Sequence, residues 1–453
     1  MSESTDAVLK FPLAVSCFAA QRMLGMIPLA DDWEPLRSAQ RTLYETGEAA
    51  KKDFSTNTML FGAFQFGDKA QSALATLASD AMSLKMLNPS YMMRVVCDVL
   101  QGSTDAFDAV GTEGARDLLK EQFQNTGDVI GFVNHSDAPS KFASDGSYPL
   151  EEQVDKCYSR GDYPALWLVE GLGERYAHAY LDAGWETRDL LTNARAAALP
   201  EKTQLMMHAG AGIAFAKHEI DKLTPWSSET EVLDALKRFL ERVRESSMAG
   251  YEGAALESLG LVTRTWYPQL VRLISNNLLA LDSDAAEYFW HGAGRAMYFS
   301  PMYMLPGLSA WDAADQEPPD EVARLNARAG VAWAFTIVNI RQPAIAANFL
   351  RYKSSRISDN DAYTNGLTST LIMAGDMVPG HVYVSEFCQF QPDADEPAQV
   401  EGWAKHIGDD MHDKVEQYRD ALKTHHALGE VFRFHALPQF VADLDLEARD
   451  PRV

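Results

Sequence analysis

Residues Glu287–Pro306 read EYFWHGAGRAMYFSPMYMLP. A histidine stands directly before Gly292-Ala293-Gly294-Arg295, with aromatic residues on either side. Weaker versions recur elsewhere: Glu170-Gly171-Leu172-Gly173, His208-Ala209-Gly210-Ala211-Gly212, Glu252-Gly253-Ala254-Ala255, Arg328-Ala329-Gly330-Val331-Ala332 and Asn365-Gly366-Leu367. Each starts with a polar or ionisable anchor and runs on as a small, apolar helix. The anchors are 38, 44, 39, 37 and 37 residues apart. A period of about 40 residues suits one helix-turn-helix unit, which cannot bury its own apolar face and must stack on the next. The pattern predicts an all-α fold: helical-hairpin repeats of about 40 residues forming a toroid or a solenoid, with an N-terminal helical layer.

Glycine inside a helix costs roughly 1 kcal/mol relative to alanine. Its recurrence calls for a close approach, by another helix or by a ligand. Two readings follow. In one, the small residues are helix–helix contacts and the anchors are hydrogen-bonded nearby. In the other, the anchors converge on a shared cavity. On the second reading, His291, Arg295, Glu252, His208 and Glu170 are the candidate catalytic residues, able to move protons and stabilise charge. Trp266, Tyr267, Phe289, Tyr298, Tyr303 and Trp311 are the candidate substrate-binding residues, because aromatic walls with sparse polar groups make an apolar pocket. The same composition also describes a core. Glu170 and Glu174 share a helical face, which suits either a shared proton or pairing with a cation.

Bulk properties narrow the field. The chain has 453 residues, 46% of them hydrophobic, and a formal net charge of −24. That charge, without a dense basic run, argues against nucleic acid and against docking on anionic lipid. No uninterrupted apolar stretch is long enough to predict a membrane span. Cys17, Cys97, Cys157 and Cys388 are scattered, as expected of free thiols in a reducing compartment. The acidic start lacks a secretory signal, and a cytoplasmic location is expected.

The expected organisation is an N-terminal amphipathic helical region over 1–125, a linker over 126–150, a repeat domain over 151–390, and a C-terminal helix and tail over 391–453. The N-terminal helices suit homo-oligomerisation. Asp182–Leu199 is expected to be helical, Pro301–Asp320 a long covering loop, and Val400–Leu428 one charged helix.

Familiar catalytic signatures are missing: no GxSxG, no GxxxxGK[ST] and no HExxH. His406, His412, His425, His426 and His435 do not have the spacing of a known ligand set, so no metal site is assigned. Asp31-Asp32-Trp33-Glu34 and Asp359-Asn360-Asp361 are acidic clusters at cap-like positions.

The phrases EGLGERYA, HAGAGIAFA, GYEGAALESLG, FWHGAGRAMYFSP and RAGVAWAF lie between about Tyr163 and Met377. Over that half, the chain resembles a bacterial family of unknown function encoded beside enediyne polyketide clusters. HGAGRAMYF, His291 to Phe299, is the most specific phrase. The resemblance implies long, conjugated or otherwise hydrophobic metabolites and a bacterial, cytoplasmic setting; it carries no settled catalytic residues. The expectation is therefore a biosynthetic enzyme acting on a hydrophobic polyene or isoprenoid-like small molecule, by acid/base cyclisation or rearrangement. The alternatives are a non-catalytic binding or scaffold protein of the helical-repeat type, and a metal or haem protein.

Overall fold

The computed structural model describes residues 113–134, 138–144, 146–299, 308–357 and 362–447. The chain divides into two compact units, Met1–Gly127 and Asp128–Val453. Of the first, only the beginning of one helix is described. The expected N-terminal layer, its oligomerising role, both acidic clusters and Tyr303 lie outside the described residues.

The described residues are helical and include no strand. In chain order they form α1 Glu113–Asn134, α2 Leu150–Ser159, α3 Asp162–Asp182, α4 Ala194–Ala197, α5 Glu201–Ile220, α6 Glu229–Ser246, α7 Glu252–Trp266, α8 Val271–Leu281, α9 Ser283–Phe299, α10 Leu308–Gln316, α11 Glu321–Asn339, α12 Pro343–Ile357, α13 Ala362–Met377, α14 Val382–Gln389, α15 Pro397–His406, α16 Met411–Thr424 and α17 Leu437–Glu447. Short 3-10 turns occupy Pro268–Leu270 and Leu428–Phe432.

The six anchor phrases fall on α3, α5, α7, α9, α11 and α13. Each of these helices packs on the next. They meet backbone to backbone at their glycines. A Cβ on Gly210 would overlap the Glu170 carbonyl, one on Gly212 that of Ala255, and one on Gly260 that of Phe289. Gly292, Gly294 and Gly330 meet the carbonyls of Glu257, Ala327 and His291 in the same way. No side chain fits there, so the small residues are spent on helix–helix approach.

The intervening helices are more one-sided. α6 buries Val232, Leu236, Phe239 and Val243 and exposes its charges. It starts with a capping box in which Ser228 and Glu231 satisfy each other's backbone N–H groups.

Four expected boundaries differ. α1 carries helix to Asn134, well into the stretch read as a linker. Asp182–Leu199 is mostly turn: past Asp182, the last residue of α3, Asp189 takes φ +59° and only Ala194–Ala197 is helical. Within Pro301–Asp320, α10 forms because Ala310, Trp311 and Ala314 share a buried face at helical spacing. The long C-terminal helix is split at Gly408, whose φ of +66° ends α15.

Candidate functional site

The sequence HGAGR does two things at once. At 100° per residue, His291 and Arg295 fall on one face of α9, while Gly292 and Gly294 point to α7 and α11. Gly292, with Gly260 on α7, draws α7 in, so that Glu257 reaches the face that carries His291 and Arg295. Its Oε1 lies 3.2 Å from His291 Nδ1 and its Oε2 accepts from Arg295 Nη1 at 2.9 Å. The second guanidinium nitrogen, Nη2, donates to Glu170 Oε1 on α3 at 3.1 Å.

All four groups are buried: Glu257 and His291 are 0% exposed, Arg295 1% and Glu170 3%. Arg295 also lies over the Trp333 ring, 4.4 Å from its centroid, and 5.9 Å from that of Phe432. His291 meets both rings edge-on at 6.4 and 6.2 Å.

Burial decides the charge states. It pulls His291 below its ordinary range, with Glu257 opposing only in part, which leaves a neutral imidazole. Glu170 is raised by burial, more than Arg295 can offset. Arg295 loses to burial but gains more from Glu257 and Glu170, and stays charged. A buried cation between two carboxylates is tolerated only because nearly every group is paired.

Three buried atoms around this network have no hydrogen-bond partner among the described residues: His291 Nε2, Arg295 Nε and Trp333 Nε1. The Glu257 carboxylate accepts from the His291 Nδ1–H. That fixes the tautomer and leaves the Nε2 lone pair free to take a proton.

The other expected site residues lie in different surroundings. His208 uses both ring nitrogens: Nδ1 donates to the Gln204 carbonyl at 2.7 Å, and Nε2 accepts from Met248 N–H at 2.9 Å. Burial lowers it to about 4, and its ring stacks on Tyr251. Glu252 is half-exposed and sits 3.4 Å from Arg244. Glu174 pairs with Lys217 at 2.6 Å, which together with His178 holds it near 2 against the opposing effect of burial.

Trp266 and Tyr267 sit at the end of α7 against the end of α5. Lys217 lies over the Trp266 ring at 4.1 Å, and Tyr267 donates to Asp221 at 2.9 Å. Phe289 is fully buried beside Trp290. Tyr298 accepts from Asn339 at 3.2 Å. Trp311 packs edge-on against Phe349 and Tyr363. The structure thus joins Glu170, His291 and Arg295 in one network, and does not bring Glu252 or His208 into it.

Glu257, Trp333 and Phe432 were not singled out from sequence. Glu257 did leave a signal: it is a lone carboxylate inside AALESLGLV. Trp333 is likewise the one bulky ring in RAGVAWA. Phe432 arrives from more than a hundred residues away and left none.

Phe432 belongs to a strap, Leu428–His435. Gly429 N–H donates to the Gly250 carbonyl at 2.6 Å, Tyr288 to Glu430 at 2.8 Å, Phe434 N–H to Asn326 at 2.7 Å, and Asn365 to the His435 carbonyl at 2.6 Å. The strap therefore touches α9, α11 and α13 in their N-terminal halves, and the turn that leads into α7. Among the described residues, no group of three or more His, Cys, Asp or Glu is arranged to hold a metal, and no helix is long and apolar enough to cross a membrane. Comparison with protein-family models, curated proteins and solved structures finds no match to this chain.

Proposed function

We propose that the protein is a biosynthetic enzyme that rearranges an extended hydrophobic polyene or isoprenoid-like molecule by acid/base chemistry, with His291 as the base. The observation that carries this reading is the His291 imidazole. It is neutral and fully buried, held at Nδ1 by Glu257, and unpartnered at Nε2. A carboxylate that orients a histidine while the far nitrogen stays open is the arrangement general-base catalysis needs. The Trp333 and Phe432 rings beside it suit an apolar substrate. The resemblance of the His291–Phe299 phrase to proteins of enediyne clusters agrees with that substrate class.

A closed ring of the six anchor helices belongs to the same proposal. In an open solenoid each unit contacts only its neighbours. Here Glu170 of α3 reaches Arg295 of α9, Tyr163 of α3 donates to the Val338 carbonyl of α11 at 2.9 Å, and α13 packs on α5.

The alternative is a non-catalytic scaffold, which the backbone-tight glycine contacts favour, since they devote the small residues to packing. Native mass spectrometry of the protein from its own host separates the two. The enzyme reading expects a co-purifying apolar small molecule that is lost on denaturation and depleted in His291→Gln. A clean chain mass with a stoichiometric protein partner would establish the scaffold instead.

A further inference from the structure

Two of the three unpartnered atoms around the network are N–H donors, Arg295 Nε and Trp333 Nε1. They belong to one contacting pair, with the Arg295 guanidinium carbon 4.4 Å from the Trp333 ring centroid. The Arg295 Nη1 and Nη2 atoms are already committed to Glu257 and Glu170, which fixes the plane of the guanidinium and hence the direction of Nε–H. A buried donor left without an acceptor is costly, because it has given up its bond to water. Two of them side by side define a place for an oxygen. The third unpartnered atom, His291 Nε2, is on the same helix one turn before Arg295 and meets the same indole edge-on.

We infer that the substrate is a conjugated carbonyl compound whose oxygen is held by Arg295 Nε–H and Trp333 Nε1–H, beside the His291 base. This rests on the reading of His291 given above and narrows its substrate class. His291 Nε2 takes a proton from the saturated carbon next to the conjugated system. The C–H electron pair becomes a new C=C bond, the intervening double bond shifts one place toward the carbonyl, and the carbonyl π pair moves to oxygen, where the two N–H groups stabilise the enolate. Return of a proton from His291, after it has exchanged with solvent, to another carbon of the conjugated system shifts the double bonds. No oxidant, reductant or co-reactant is consumed. Trp333 is then a substrate-binding residue that selects for oxygen.

The test uses the full chain and two probes: a conjugated polyene methyl ketone, and the hydrocarbon of the same length in which a methylene replaces the oxygen. Binding is followed by the probes' own absorption, and exchange of the ketone's acidic carbon-bound hydrogens by mass in D2O. The expected result is about tenfold or tighter binding of the ketone, a red shift of its absorption, and loss of that preference in Trp333→Phe. His291→Gln is expected to keep the preference and abolish exchange.

Equal binding of ketone and hydrocarbon by the wild-type chain would overturn the oxygen site and leave the base standing. A ketone preference without exchange would keep the oxygen site and overturn the base. Binding of neither probe would overturn both. The wild-type comparison decides the matter even where Trp333→Phe fails to fold.

Discussion

At the scale of single residues, the buried groups pull stability in opposite directions with pH. His291 and His208 are both lowered by burial. Each contributes stability that is present above about pH 6.5 and lost as pH falls through its folded value. For His208 the window runs from 6.5 down to about 4, worth on the order of 3 kcal/mol. Glu170 is raised, so its contribution is fully present below about pH 4.5 and is lost as pH rises through its folded value. The His208 contribution to urea midpoints is therefore expected to fall between pH 7.5 and 4.5, and His208→Gln to remove that part of the pH dependence. A pH dependence unchanged in that variant would contradict the burial of a neutral His208. Arg295→Met would strand two carboxylates in the interior and is expected to cost about 3–5 kcal/mol. Adding Glu170→Gln and Glu257→Gln to it should recover part of that loss, which a double-mutant cycle measures.

At the scale of elements, the glycines separate into two kinds. Gly260→Ala and Gly330→Ala drive a methyl into the carbonyls of Phe289 and His291, so helices must part. Losses of about 3 kcal/mol or more are expected from chemical denaturation. Gly131→Ala on α1 has open space around its Cβ and is expected to gain about 0.5–1 kcal/mol. If both kinds behave alike, the helices do not cross at these positions. The strap gives a second test. Phe432→Ala removes a ring from His291, Arg295 and Trp333 at once, and is expected to cost about 3–5 kcal/mol. The helices that carry the anchors were legible in sequence, because glycine and alanine recur there in small, apolar runs of helical length. Three expected elements were less so. α10 hid between prolines, where the apolar content suggested a covering loop. The α15–α16 break depended on one left-handed glycine. Asp182–Leu199 has helix-forming composition, yet Asp189 and Leu191 donate their backbone N–H groups to the carbonyls of Glu245 and Ser246 at the end of α6 instead.

At the scale of the whole molecule, distant contacts decide which anchors meet. Glu170, Glu257, His291 and Arg295 span 125 residues of sequence between the most separated hydrogen-bonded pair, and Phe432 lies further still. Period alone gave every anchor equal standing. Only packing distinguishes His291, which joins Glu257 and keeps Nε2 unpartnered, from His208, whose two nitrogens are taken by the Gln204 carbonyl and the Met248 N–H, and from Glu252, which opens to solvent at a helix start. The account stands on a neutral His291, protonated at Nδ1 toward Glu257 and open at Nε2. The most direct measurement is the nitrogen-15 spectrum of the histidine side chains, with His291 assigned by its loss in His291→Gln. The expected result is an unprotonated Nε2 at pH 7 that stays unprotonated below pH 6.5, with a protonated Nδ1. An imidazolium at pH 7, or a proton on Nε2, would contradict the account.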